Sequence, residues 1–583
     1  MPAEQPRPKS LNAHVFREPQ WLHRALLMAL IVPVMAAPTV GLAGAVRGLG
    51  AFEFVPMTLA SFNPSPGMGT GVAVADFDGD GDPDIFVPTG AGSPNRLLRN
   101  RGDGNFDEVA NDFGLDDMRQ ARAALWVDYD GDGDLDLFVT RDCFAPFPTY
   151  PAAGSCAERV VSLFEQRGGG FVDVSDAAGL FLDAGAIADG FHAGGLSAAD
   201  ISGDGLPEIY AARWQARDEL YISDTLFSTG KGAGYSLGSG LTALGDSQAG
   251  HWQGLFHDFD RDGRVDLMVN IDFVANQLWM NRGSLVLENI AATAGVDSAW
   301  NEMGLAGGDY DNDGDLDLFA TNIFDWVGSS AGSHNLLLRN DSSSGQVIFH
   351  ERAVEAGVDD AGWGWGAAWL DADNDGDLDL AATNGYCQPA PDFCEAPYDA
   401  DPSRFFLQTE AGDSFSEIGV QVGFNDTLTG GGLVATDFDG DGRLDLLQAA
   451  LDPATASNPW LREERLTLYL NRPSAAGDDA FLMVRPRMAG PNSHALGAEL
   501  RLVLDNGRTL TRWIRAGESW MSQAPSSAHF GVGTAGIERL EIDWPSTPDR
   551  PGDTSLILAP GVDRVLEVAG PEALFVAGFE VGD

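Results

Sequence analysis

A nine-residue aspartate cassette of the form D-x-D-x-D-G-x-x-D recurs seven times along this chain, starting at Asp76, Asp128, Asp200, Asp258, Asp309, Asp371 and Asp437. The starts lie 52, 72, 58, 51, 62 and 66 residues apart, the mark of a repeated structural unit. In the second copy Asp128, Asp130, Asp132, Asp134 and Asp136 alternate with Tyr129, Gly131, Gly133 and Leu135. Carboxylates at every second position, with glycine permitting a tight turn, aim their oxygens at one point. Ca2+ takes six to eight oxygens at roughly 2.3–2.6 Å and tolerates irregular geometry, whereas Mg2+ demands a stricter octahedron. No Cys or His stands at a ligand position, which argues against zinc, copper and nickel.

About seven Ca2+ sites are therefore expected. The ligand sets are Asp76, Asp78, Asp80 and Asp84, then Asp128, Asp130, Asp132 and Asp136, then Asp200, Asp204 and Glu208. They continue with Asp258, Asp260, Asp262 and Asp266, with Asp309, Asp311, Asp313 and Asp317, with Asp371, Asp373, Asp375 and Asp379, and with Asp437, Asp439, Asp441 and Asp445. The third set, with Ser202 in place of an acid, is expected to bind most weakly. Sites four and seven carry Arg264 and Arg443 at position seven, where a backbone carbonyl can serve instead. An EF-hand needs Glu at position twelve and flanking helices. Position twelve here is Val87, Val139, Ala211, Val269, Ala320, Ala382 and Gln448, inside short apolar runs that suit buried strands.

The surrounding pattern repeats as well. Position two is Phe77, Tyr129, Ile201, Phe259, Tyr310, Ala372 and Phe438, a packing plug. A small-residue strand precedes each cassette and a strand follows it. A third strand ends in Asn, as at Asn100, Asn281, Asn340 and Asn471, and a fourth begins with Phe, as at Phe106, Phe171 and Phe415. Four short strands per unit is the pattern of a β-propeller blade. The last unit supplies only three strands, near Arg472, so Phe52-Glu53-Phe54-Val55-Pro56-Met57 is expected to complete it and remove an open edge. These units resemble the FG-GAP or VCBS repeats of integrin-alpha-type propellers over residues 50–473. The resemblance implies Ca2+ in the loops, and extracellular recognition more often than catalysis.

Residues 478–570 carry no cassette. Alternating segments such as Phe481-Leu482-Met483-Val484, with the hairpin turn Asp505-Asn506-Gly507, predict a small antiparallel β-sandwich. The stretches 492–497, 519–523, 529–533 and Trp544-Pro545 are similar to the ASPIC/UnbV domain, which follows such propellers in bacterial surface proteins and in the cartilage acidic protein family. His529 is expected to be a buried, hydrogen-bonded residue and not a catalyst. The fold class expected is all-β: a seven-bladed β-propeller with Ca2+-binding loops, then this sandwich, then a tail at 571–583.

The chain holds 87 Asp and Glu against 35 Lys and Arg, a net charge of −52. Seven divalent cations return at most about fourteen of these charges, so a nucleic-acid partner is not expected. A basic start followed by the charge-free stretch 25–46 predicts a secretory signal peptide over residues 1–45, with an uncleaved anchor as the alternative. No later segment is apolar enough to span a membrane. Cys143 with Cys156 and Cys387 with Cys394 form two local pairs, each within one loop, and suit disulfides in an oxidising compartment. The protein is expected to be secreted, periplasmic or on the cell surface.

The cassette joins strands one and two, so the loops between strands two and three lie at the opposite face. The longest insertions fall there, rich in aromatic residues. Arg122, His192, Trp252, Trp363 and Trp365 are expected near the channel mouth on that face as a ligand surface, while each Trp can equally plug the axis. The chain carries no GxSxG, HExxH, GxxxxGK[ST] or CxxC. Its predicted function is calcium-dependent recognition or adhesion toward an extracellular or envelope protein or glycan. The alternatives are a propeller enzyme acting on polysaccharide or lipid, and a structural part of a surface assembly.

Overall fold

The computed structural model describes residues 52–62, 70–90, 92–141, 161–180, 192–214, 219–224, 234–237, 250–324, 333–343, 345–386, 398–409, 414–452, 463–473, 480–490, 492–545 and 552–570. All of them fall within one of the chain's two compact units, residues 46–324 with 333–583. The signal peptide expected at 1–45, the four cysteines and the tail at 571–583 lie outside the described residues.

The fold is all-β, and its repeating element is the four-stranded antiparallel meander. Ala73–Ala75, Asp84–Val87, Arg96–Asn100 and Phe106–Glu108 pair in chain order. The same order recurs over residues 121–173, 305–351 and 364–417. Residues 192–237 and 250–289 form two further meanders, which share one eight-stranded sheet through the pairing of Trp214 with Gly250. The last meander takes its strands from both ends of the repeat region. Phe52–Phe62 runs antiparallel to Glu464–Pro473, with Phe54 opposite Asn471 and Met57 opposite Leu468, and Asp445–Leu451 and Leu433–Thr436 follow. The displaced strand read at Phe52 to Met57 is thus present and extends to Phe62.

The first strands are rich in small and apolar residues because both their faces are covered. Ala121–Val127 is buried at every position. The position-two residues are all buried, from Ala372 at 0% exposure to Tyr129 at 4%. After the fourth strand, four of the meanders continue into a single helical turn. Ala110–Phe113, Ala291–Ala294, Ala353–Ala356 and Gly419–Val422 each end on a left-handed glycine, Gly114, Gly295, Gly357 and Gly423, at φ 77–82°. Glycine is needed there because an L side chain is strained at that φ.

The C-terminal module has two sheets. Thr509–Trp513, Glu499–Leu504, Ile537–Asp543 and Thr554–Leu558 form one, and Ala528–Gly533, Ala480–Arg487 and Arg564–Ala569 form the other. Gly507 (φ 88°) makes the expected hairpin between Glu499–Leu504 and Thr509–Trp513. The module is not purely antiparallel, as its sequence suggested: Ala480–Arg487 and Arg564–Ala569 run parallel. Parallel partners far apart in sequence leave no local turn signal, so alternation alone cannot reveal their direction.

Candidate metal centres

Each cassette occupies the loop between the first and second strands of a meander. The first joins Ala73–Ala75 to Asp84–Val87, and the sixth joins Gly364–Leu370 to Asp379–Asn384. Three positions build the loop. The first acid accepts the N–H of the position-six glycine in all seven copies, from Gly81 to Asp76 at 3.0 Å through Gly442 to Asp437 at 2.8 Å. That glycine sits at φ 84–98° throughout, which is why position six is invariantly glycine in this chain.

The ninth acid is a clamp. In cassette five, Asp317 Oδ2 accepts the N–H of Tyr310 and Oδ1 accepts that of Asn340 on the third strand. Asp84, Asp136, Asp266, Asp379 and Asp445 repeat this two-handed bond. The third-strand amide then reaches the neighbouring unit. Asn281 Nδ2 donates to Ile201 O at 2.7 Å, Gln408 Nε2 to Tyr310 O at 2.8 Å and Asn471 Nδ2 to Ala372 O at 2.8 Å. Asn100 Nδ2 likewise donates to Phe438 O at 2.8 Å, joining the first unit to the last.

Carboxylate oxygens converge in the loops. One oxygen from each of Asp76, Asp78 and Asp84 lies within 4.8 Å of the others, and so do those of Asp128, Asp130 and Asp136 and of Asp309, Asp311 and Asp317. Asp258, Asp260 and Asp262 form another such group, as do Asp371, Asp373 and Asp375. Burial pushes the ninth acids up, Asp84 to about 8 and Asp136 to about 9, against the pull of their backbone donors. Asp317, Asp379 and Asp445 are raised well above the carboxylate range, again by burial first. Among the described residues, buried oxygens of Asp76, Asp260, Asp309 and Asp439 have no hydrogen-bond partner. Unsatisfied buried carboxylate oxygens are costly, and a divalent cation reverses that cost. The donor set is all oxygen and fits Ca2+. When bound, the cation would offset part of the loop's negative charge and cross-link its acids.

The third cassette keeps the frame without the full ligand set. Gly205 bonds Asp200, and Ser202 N donates to Glu208 at 2.9 Å. In the fourth, Arg264 pairs with Asp262 and Arg282 with Asp260. In the seventh, Arg472 reaches Asp439 and Asp441.

Three residues read as a ligand surface lie in the interior: Arg122, Trp252 and Trp365 are 1–2% exposed. What covers two of them is Trp520 of the C-terminal module, its ring 4.9 Å from each of Trp252 and Trp365. Trp363 is half-buried and stacks on Tyr386 at 4.0 Å, with Tyr398 edge-on at 4.9 Å. His192 begins the strand His192–Ala199, but its side chain lies outside the described residues. So do most aromatic residues of the long insertions. His529 is buried and its Nε2 meets Gly442 O at 3.1 Å.

The segment around Trp520 threads among first strands of many units. Ala198 N donates to Ala516 O, Leu305 N to Ser519 O, Val72 N to Ser522 Oγ, and Trp126 N to Gln523 Oε1. Ser519 (φ 65°) and Met521 (φ 52°) hold left-handed conformations to do so. Sequence patterning missed this plug. Its signal was an apolar Trp-Met pair inside a non-strand stretch, which local periodicity does not score.

The family described as FG-GAP-like repeat matches residues 45–87, 89–139 and 258–320, and that described as ASPIC and UnbV matches residues 488–574. Cartilage acidic protein 1 of Mus musculus is 27% identical over 512 residues, covering 83% of this chain and 71% of that protein. The Xenopus tropicalis protein of the same name is 26% identical over 443 residues, 65% of this chain and 64% of its own length, so the match spans less than two thirds of it. Among solved structures, a rhamnogalacturonan lyase of Bacillus licheniformis aligns at TM-score 0.33 and 15% identity over 71% of this chain and 75% of that one. The V. cholerae biofilm matrix protein Bap1 aligns at TM-score 0.26 and 14% identity over 88% and 85%.

Proposed function

We propose that this chain, which carries FG-GAP-like repeats and a C-terminal ASPIC and UnbV domain and is a distant homologue of cartilage acidic protein 1, is an exported, calcium-loaded recognition or adhesion protein. Its repeats form a closed ring of seven blades, each stiffened by a cation, the third most weakly. The observation that carries the reading is the convergence of carboxylates with unpartnered buried oxygens in loops that recur at one place in each meander. Bonds between the first and last units support closure: Gly432 N to Thr70 O at 3.0 Å and Asn100 Nδ2 to Phe438 O. Among the described residues no helix is long and apolar enough to cross a membrane.

The partner is a protein loop or glycan, held at the face opposite the cassettes. Trp363 and Tyr386 are its anchor, because a half-buried aromatic stack presents a rigid apolar edge at little entropic cost. With Arg122, Trp252 and Trp365 packed inside, the recognition surface is this stack and the insertions around it.

The test screens calcium-loaded protein, and a Trp363→Ala, Tyr386→Ala variant, against polysaccharides and envelope or matrix proteins, scoring retention and product release together. Retention without turnover, lost in the variant, supports the reading. Product release reassigns the chain to a polysaccharide- or lipid-acting enzyme. Verified calcium removal with EGTA should lower the unfolding temperature, since a ligand bound only by the native state stabilises it. An unchanged temperature would remove the structural role of the cations.

A further inference from the structure

The sixth cassette is gripped from outside by the C-terminal module. Gly531 N donates to Asp371 Oδ2 at 3.0 Å, the same oxygen that accepts Gly376 N at 2.9 Å. Gly533 N donates to Asn374 O at 2.7 Å, and Arg508 Nη1 to Asp375 O at 3.0 Å. Arg508 also pairs with Asp377. Positions one, four, five and seven of one loop are thus held by two segments of the module, Arg508 and residues 531–533, each more than 130 residues away. The approach is flush: a side chain at Gly531 would collide with Asp371 and Asn374. Arg512 acts on both Asp371 and the first acid of cassette five, Asp309, where it opposes the effect of burial.

We infer that the C-terminal module supplies the outer shell of the sixth cassette, so that cation binding there and docking of the module strengthen each other. The inference rests on the calcium reading proposed above. Outer-shell groups orient metal ligands, and losing one typically weakens metal binding about 10- to 100-fold. Here Gly531 fixes the carboxylate of the first ligand, while Arg508 and Gly533 fix the backbone turn. In the other direction, the acceptors used by the module exist only while the loop keeps its turn. Five carboxylates in nine residues repel one another and open that turn without a cation. They also outweigh the charge of one divalent cation, so Arg508 and Arg512 still face a negative loop when calcium is bound. The two positive contributions therefore do not exclude each other. By linkage, whatever calcium adds to docking, docking adds to calcium affinity.

The experiment uses the full chain with calcium as the probe. Binding isotherms are compared for wild type, Arg508→Ala and Arg508→Lys. Hydrogen exchange of residues 528–533 is then followed in wild type, Asp373→Ala and Asp260→Ala, at saturating calcium and after chelation. Asp373 is a ligand of cassette six, and Asp260 is the control in cassette four. Arg508→Ala should lose roughly tenfold in affinity at one site, with partial recovery in Arg508→Lys. Asp373→Ala and chelation should each speed exchange at 528–533 about tenfold or more, while Asp260→Ala leaves it near wild type. An isotherm unchanged in Arg508→Ala, or exchange at 528–533 indifferent to calcium, overturns the inference while the cation sites stand. Equal acceleration by Asp373→Ala and Asp260→Ala overturns it too, because the effect is then global softening. A wild-type chain that binds no calcium removes the cation reading and this inference together.

Discussion

Asp317 and Asp311 sit in the same loop and do different work. Asp317 spends both oxygens on backbone N–H groups of Tyr310 and Asn340, so it holds two strands together whether or not a cation is present. Asp317→Asn puts an amide donor against one of those donors and should cost about 2 kcal/mol even without calcium. Asp311→Ala should destabilise only in calcium, and in chelator should be neutral or stabilising, because it relieves like-charge repulsion. Urea denaturation in both conditions separates the two. The same change at Asp204 should cost less than at Asp311, since Ser202 already weakens that set. Away from the cassettes, Glu464 is fully buried, accepts two bonds from Thr70, and is raised by burial from its ordinary 4.5 to about 7. Between those values the unfolded chain ionises Glu464 and the folded chain does not. Its contribution to stability therefore falls as pH rises through that window, by on the order of 3 kcal/mol. Glu464→Gln should gain stability relative to wild type between pH 4 and pH 8. A difference that is flat with pH would mean that Glu464 stays ionised in the fold.

At the scale of elements, the strand that matters most is the one farthest from its neighbours in sequence. Phe52–Phe62 closes the sheet of residues 433–473, and Phe54, 3% exposed, meets Phe405 and Phe424. Phe54→Ala should cost about 3–5 kcal/mol, the usual range for a buried Phe truncated to Ala. Fraying of that strand would bare the edge of Glu464–Pro473 and promote association, so light scattering should rise with the loss of stability. Val55 is 43% exposed, and Val55→Lys should move stability by less than about 0.5 kcal/mol. Denaturant curves with scattering check both. The strand was legible because the repeat count leaves one unit a strand short. The one-turn helices were not, since four residues carry no helical period.

For the molecule as a whole, the central interior is built by the C-terminal module. Trp520 is fully buried with Trp252, Met303 and Trp365 around it. Trp520→Ala should cost about 3–5 kcal/mol and change the fluorescence of the remaining tryptophans. A variant as stable as wild type would mean that the plug does not seat as described. The module also touches cassettes two, six and seven, through Ser493 to Asp128, Gly531 to Asp371 and His529 to Gly442. The repeat region and the module are therefore expected to unfold together, as a single transition in calorimetry.

The sequence by itself determined what is local and repeated. The first acids and the position-six glycines are set by bonds spanning five residues, and seven copies reinforce the pattern. It also showed the missing strand of the unit near Arg472, because a count of strands survives distance. Only the tertiary structure decided the direction of Arg564–Ala569, the grip on cassette six and the fate of Trp252 and Trp365. Those depend on contacts such as Val72 with Ser522, 450 residues apart. Burial at that range is set by which surface arrives, and no periodicity within either segment encodes its arrival.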